Sequence, residues 1–148
     1  MTLENAELAK IAVNSFVTMK ISYANMLADM CEKIPGGNVD VVSDALGMDK
    51  RIGKDFLKSG PGFGGSCFKK DILNLVYLCK YYGLEEVAEY WMQVIKINNY
   101  QRDRFSRIII DGLNGTVNQK TITLLGLSLI HISEPTRRRG ISYAVLCL

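Results

Sequence analysis

Cys67 closes the stretch Ser59-Gly-Pro-Gly-Phe-Gly-Gly-Ser66, which holds four glycines in eight residues. No helix or strand interior tolerates that density, so the stretch is predicted to be a shaped loop along which a ligand can approach the backbone closely. Helical spacing resumes at once through Ile72, Leu75, Val76 and Cys79. Cys67 therefore opens a helix, with Ser66 as the expected cap and Lys69 and Lys70 following. A helix N-terminus and neighbouring ammonium groups both favour thiolate, so these neighbours suit a nucleophilic cysteine. The other reading of the same residues is a small apolar side chain in a tight turn. Cys31 and Cys79 lie in apolar helical stripes and are read as core. The four cysteines form no CxxC or Cys/His spacing, so neither a metal site nor a disulfide scaffold is expected, and the default setting is reducing and cytoplasmic.

The elements that must position this cysteine are mainly helical. From Leu3 to Ile34 the residues Leu8, Ile11, Ala12, Phe16, Met19, Tyr23, Met26, Leu27 and Met30 recur at three- and four-residue steps without Pro or Gly. One long amphipathic helix follows, which is expected to pack on more than one neighbour, a second copy of itself included. Pro35-Gly36-Gly37 ends it, Asn38 caps a short helix closed by Gly47, and another short turn covers Asp49 to Leu57. After the helix behind Cys67 stops near Gly83-Leu84, a second long helix runs through Val87, Trp91 and Val94 toward Leu113, and Asn114-Gly115 breaks it. Thr121 to Gly126 has the β-branched content of a buried strand, the first of a further domain.

The composition of the 148 residues, 48% hydrophobic and 22% charged, is that of an ordinary globular chain. No apolar run approaches the ~18 residues of a membrane span, and a net charge of +3 is too weak to argue for nucleic acid or anionic lipid. No nucleic-acid or membrane partner is expected. The GxGxxG turn of a dinucleotide fold occurs nowhere in the chain.

Arg51-Ile52-Gly53, Phe56-Leu57-Lys58 and Pro61-Gly-Phe-Gly-Gly-Ser-Cys-Phe68 with Lys70-Asp71 resemble the UDP-glucose 6-dehydrogenase family over Glu7 to Gly126. Ser66 and Phe68 favour UDP-glucose over the related GDP-mannose and N-acetylhexosamine nucleotide substrates, and Lys69 departs from the Pro common in bacterial members. The resemblance implies a four-electron oxidation of UDP-glucose to UDP-glucuronate with two NAD. In it Cys67 is the nucleophile that forms a thiohemiacetal and then a thioester. Lys10 would stabilise oxyanions, Asn14 would hold substrate and water one turn on, and Asp71 would orient the lysine or a water. Substrate contacts are implied for Lys10, Asn14, Phe56, Leu57, Lys58, Ser59, Gly60, Phe63 and Gly64, and for Arg51, which reaches the neighbouring subunit's site in a dimer built through the long helices. Cofactor contacts are implied for Ser66, Cys67, Phe68, Lys69 and Lys70. The competing readings are the central domain of another nucleotide-sugar dehydrogenase and a helical dimerisation module in which Cys67 is structural.

The resulting organisation is a helical central dimerisation and active-site domain over 1–113, then a linker and first strand of an otherwise absent α/β UDP-binding domain over 114–126. The NAD domain is likewise expected to be missing, so the chain alone is expected to be inactive. Residues 127–148 read as artefact: Leu127 to Arg137 is similar, residue for residue, to the translation of a transposase-type sequencing adapter, and Ile141 to Leu148 to the primer behind it, with Leu146 in place of Phe. Setting aside Glu134, Arg137, Arg138 and Arg139 lowers the net charge to +1 and also removes His131, the only histidine. Any pairing of Ile141 to Leu148 with the Thr121 to Gly126 strand would be fortuitous.

Overall fold

A computed structural model describes residues 1–125 and 143–147. The chain forms two compact units, Met1–Asp103 and Arg104–Leu148. It is mainly helical: α1 (Leu3–Cys31), α2 (Val39–Met48), α3 (Phe68–Tyr81) and α4 (Glu85–Gly112) precede strands β1 (Thr121–Leu125) and β2 (Tyr143–Cys147). Among the described residues no helix is long and apolar enough to cross a membrane.

The helix ends follow local chemistry. Thr2 caps α1, and α1 stops at Cys31, three residues short of the expected Ile34, because Pro35 disfavours helical geometry in the residue before it. Asn38 caps α2 by accepting from the Asp40 and Val41 amides at 2.9 and 3.4 Å, and α2 continues through Gly47 to Met48. At the end of α3 Leu84 N–H bonds the Cys79 carbonyl and Gly83 N–H the Lys80 carbonyl. With Gly83 at φ +74 this is a Schellman motif, which satisfies two orphan carbonyls. It also turns the chain into α4.

The core of the first unit gathers Phe63, Ile72, Val76, Cys79, Ala88, Val94 and Ile95. The α1 helix meets it in an unexpected orientation. Its buried positions include Ser15, Thr18, Ser22, Ala24, Asn25 and Ala28, whereas Leu8, Phe16, Tyr23, Met26 and Met30 of the predicted apolar stripe are exposed. The periodicity is real, but the face it marks is turned away from this chain's own core. Cys79 is buried as expected, and Cys31 is half-buried.

In the second unit β1 pairs antiparallel with β2, Thr121 opposite Cys147 and Leu125 opposite Tyr143. The strand expected over Thr121 to Gly126 thus has a partner within the segment read as adapter-derived. The rest of that segment, 127–142 and 148, and Gly126 lie outside the described residues.

Gly62 and Gly83 both hold positive φ, +119 and +74, but only at Gly62 would a Cβ clash, at 2.5 Å from Asn98 Oδ1. Replacing Gly83 with Ala should therefore cost about 1 kcal/mol through backbone strain alone. Gly62→Ala should cost more, about 2 to 3 kcal/mol. Equal losses by urea denaturation would show that the close approach at Gly62 is relieved at no cost.

Candidate functional site

The site is assembled from α1, the loop 59–66 and the start of α3. Lys10 and Asn14 sit one turn apart on α1 and both reach Asp71, in the first turn of α3: Lys10 Nζ donates to Asp71 Oδ2 at 2.7 Å and Asn14 Nδ2 donates to the same oxygen at 2.5 Å. The Asp71 side chain is buried, at 8% exposure, while that of Lys10 is 62% exposed. One end of the ion pair is thus fixed and dry, and the other faces solvent.

Electrostatics follow this arrangement. The Lys10 ammonium, then the Asn14 amide, hold the Asp71 carboxyl below its ordinary range against the opposing effect of burial. The Asp71 hydrogen bond raises Lys10 above its ordinary value, and the charge of Cys67 adds a smaller push in the same direction. Asp71 N–H bonds the Cys67 carbonyl at 2.9 Å, so the thiol-bearing residue sits one helical turn from the carboxylate that Lys10 pairs.

Cys67 itself is exposed. It occupies the N-cap position of α3, and no side chain caps that helix. This corrects the expectation for Ser66, whose hydroxyl lies 3.6 Å from Cys67 Sγ and leaves the helix amides uncapped. The N-cap position falls at Cys67, one residue later than the serine spacing suggests, and its dihedrals, φ −101 and ψ −53, are not the extended ones from which a side chain reaches back to the first amides. Lys69 and Lys70 are exposed beside it and Phe68 is half-buried.

The other predicted substrate contacts fall into two groups. In 59–64, Phe63 is buried in the core while Gly64 is exposed, and Ser59 and Gly60 are half-buried. In 56–58, Phe56 takes a strained left-handed φ of +63. That turn sends Leu57 inward, while Phe56 and Lys58 stay exposed. All three line a cleft of about 560 Å³ with Ser43, Asp44 and Lys54. Phe63 is buried in the core and its amide and carbonyl are both bonded to Asn98, so neither its side chain nor its backbone amide is presented to a ligand.

Arg51 is not brought to Cys67. Its guanidinium forks onto Asp49, with Nη2 at 2.6 Å from Oδ2, and remains 88% exposed at the side chain. Lys20 Nζ bonds the carbonyls of Ile52 and Gly53 at 3.0 and 3.2 Å, which anchors this turn to α1.

Sequence reasoning missed the side chains that hold the glycine-rich loop: Asn25, Asn98 and Gln101, all buried and all bonded to loop backbone. The available signal was the polar pair Asn98 and Gln101 continuing the inward stripe of Val94 and Ile95 on α4. Among the described residues no cluster of three His, Cys, Asp or Glu could hold a metal ion.

The ion pair makes a signed prediction. Asp71 contributes stability fully above the ~3.9 of an unfolded aspartate, and this is lost as pH falls through its lower folded value. Lys10 contributes fully below the ~10.4 of an unfolded lysine, and this is lost as pH rises through its higher folded value. Asp71→Asn should therefore be destabilised by a constant amount across the neutral range, with the gap to wild type closing at both extremes. Urea melts from acid to alkaline pH read this directly, and a gap that varies through neutrality would contradict the pairing.

Known proteins share both this sequence and this architecture. The family model for the central domain of the UDP-glucose/GDP-mannose dehydrogenase family matches residues 4–100. UDP-glucose 6-dehydrogenase 3 of Arabidopsis thaliana is 52% identical over 135 residues, 91% of this chain and 28% of that protein. The UDP-glucose 6-dehydrogenase of Mus musculus is 49% identical over 139 residues, 94% of this chain and 28% of that protein. A solved UDP-glucose dehydrogenase from the hyperthermophilic archaeon Pyrobaculum islandicum superposes with a TM-score of 0.72 at 34% identity, covering 80% of this chain and 27% of that one. The chain thus spans a little over a quarter of the length of the relatives it matches, and with its central-domain match covering most of the helical region it belongs to the UDP-glucose/GDP-mannose dehydrogenase family.

Proposed function

We propose that this chain is the central part of an NAD-dependent UDP-glucose 6-dehydrogenase, in which Cys67 is the covalent nucleophile. The observation that carries the reading is the placing of an exposed thiol one helical turn before a buried carboxylate that pairs with a solvent-facing ammonium. The names of the similar proteins support UDP-glucose as substrate.

In this reading Cys67 Sγ adds to the aldehyde carbon derived from the sugar's primary alcohol, and the carbonyl oxygen becomes an oxyanion. Lys10 supplies the facing charge, because Asp71 fixes its ammonium without burying it. Asn14 is held by the same carboxylate and presents its amide to substrate and water. Once a hydride has left the carbon of this thiohemiacetal for the acceptor and the oxygen has lost its proton, the adduct is a thioester; water attacks it, the thiolate leaves and the Lys10 ammonium again faces the oxyanion. Phe56 to Ser59, with Gly64, would hold the nucleotide and sugar, Gly60 and Phe63 would shape the loop through backbone already engaged by Asn25, Asn98 and Gln101, and Lys58 suits a polyanion.

The residues Ser66 to Lys70 fit the edge of a dinucleotide, since α3 begins without a side-chain cap and two exposed lysines flank it. They would hold NAD, which supplies the hydride acceptor. The setting proposed is cytoplasmic.

The exposed stripe of α1 supports a homodimer. Leu8, Val13 and Phe16 are each more than half exposed, and they line an apolar groove of about 640 Å³ with Leu75 and Trp91. A second copy is the occupant that a self-complementary helix face suits. Arg51, paired with Asp49 and exposed in its own chain, would then serve the partner's site.

In the full-length enzyme Cys67→Ser should abolish sustained conversion of UDP-glucose to UDP-glucuronate while leaving nucleotide-sugar binding within about threefold, since a hydroxyl without a base is a poor nucleophile. Steady turnover by that variant would remove the covalent role. The chain should also sediment as a dimer at micromolar concentration, and Phe16→Glu should shift it toward monomer. A monomeric, folded wild type would refute the dimer.

A further inference from the structure

Three buried carboxamides grip the glycine-rich loop by its backbone, and none of them has a part in the chemistry proposed above. Asn98 Oδ1 accepts from the Phe63 amide at 2.7 Å, and Asn98 Nδ2 donates to the Phe63 carbonyl at 2.9 Å. Gln101 Nε2 donates to the Gly60 carbonyl at 2.8 Å, and Asn25 Oδ1 accepts from the Gly60 amide at 2.8 Å. Gly60 and Phe63 thus each have both donor and acceptor met, as in a strand ladder, by side chains from α1 and α4. Gly62 lies between the two anchor points, and its missing Cβ lets the loop backbone come this close to Asn98.

What the clamp holds is the root of the thiol. The Phe63 ring is buried in the core and meets the Phe68 ring edge-on at 6.4 Å. Gly64, Gly65, Ser66 and Cys67 form a four-residue arch between these two rings, and all four are exposed. With no side-chain cap on α3, the arch inherits its position from its ends. One end is the helix that carries Asp71. The other is the backbone of Phe63, in the grip of Asn98.

We propose that Asn98 and Gln101, with Asn25, are positioning residues for Cys67: by fixing the loop backbone at Gly60 and Phe63 they fix where the thiol stands relative to Lys10 and Asp71. The functional meaning rests on Cys67 being the nucleophile, but the geometry stands without it. The clamp is built from neutral amides, so its grip does not titrate.

Asn98→Asp makes the grip titratable without changing its shape. In its protonated form the introduced carboxyl can donate to the Phe63 carbonyl and accept from the Phe63 amide. In its ionised form it can only accept, and it sets a negative charge against that carbonyl, which also raises its own pKa. The measurement is made on the full chain at pH 5 and pH 8: backbone hydrogen exchange of residues 60–67, and the rate at which iodoacetamide alkylates Cys67, each relative to wild type at the same pH.

At pH 5 both readouts should lie within about twofold of wild type. At pH 8 the loop amides should exchange roughly tenfold faster and the alkylation rate should depart from wild type at least about threefold, the scale of one lost buried hydrogen bond. Gln101→Leu should change both readouts equally at the two pH values. It keeps the Asn98 pair, and so serves where the first variant unfolds at pH 8. Loop amides that loosen while Cys67 alkylation stays at the wild-type rate would overturn the proposal, as would amides that never loosen. Because neither readout uses turnover, failure of the covalent mechanism would leave this result standing.

Discussion

Asp71 is a carboxylate that has lost nearly all contact with water, and such a group is tolerable only when its charge and lone pairs are met. Lys10 and Asn14 meet them from one turn of α1, both on the same oxygen. This single group therefore fixes the register of α1 against α3, and α3 begins at Cys67. Sliding α1 by one residue would remove both donors together, since an i,i+4 pair moves off its target as a unit. The remaining features of the site are arranged around that junction. The thiol stands one turn before Asp71, and the lysine charge is presented outward because its partner is anchored inward.

The orientation of α1 follows from the same constraint. A helix that must bring Lys10 and Asn14 to α3 has its other faces assigned, and the buried face carries Ser15, Thr18, Ser22 and Asn25. Small side chains dominate that face, and Asn25 meets the backbone of the glycine-rich loop directly. The large apolar side chains are consequently left on the outside. With this division the stripe is left uncovered among the described residues, and apolar exposure at Phe16 and Leu8 accompanies a well-packed core elsewhere.

These two facts mark how far the sequence could be read. Helix existence, the Asn38 cap, the glycine-rich loop and the helical start at Cys67 were legible because each has a local cause: spacing, a capping side chain, backbone freedom. The meeting of Lys10, Asn14 and Asp71 was legible only through family resemblance, because residues 10 and 71 are brought together by packing that no local pattern encodes. Period alone likewise located the apolar stripe without saying what covers it. The Ser66 cap failed for a local reason, since the N-cap position falls on Cys67 instead. The three carboxamides were missed because a buried Asn or Gln on a helix looks, in sequence, like any surface amide. For Asn98 and Gln101 only their place on the inward stripe of α4, continuing Val94 and Ile95, distinguishes them, and for Asn25 no such signal exists.

The division between charged and neutral groups has its own logic. The side chains that pair α1 with the first turn of α3 are ionic, and in the mechanism proposed above the Lys10 charge is useful where charge develops on substrate. The residues behind the loop perform a similar mechanical task with amides alone. A carboxylate or ammonium at position 98, against the loop that leads to the thiol, would impose a second field on the reacting atoms and compete with Lys10. It would also titrate, so the loop would loosen at a pH where the Lys10–Asp71 pair is still intact. A neutral clamp avoids both effects. Its cost is that an unmet buried amide is destabilising, and Asn25 carries that cost, with its Nδ2 left without a protein partner. Asn98 escapes it by using both of its ends on Phe63, and the absence of a Cβ at Gly62 is the steric condition that lets those bonds close.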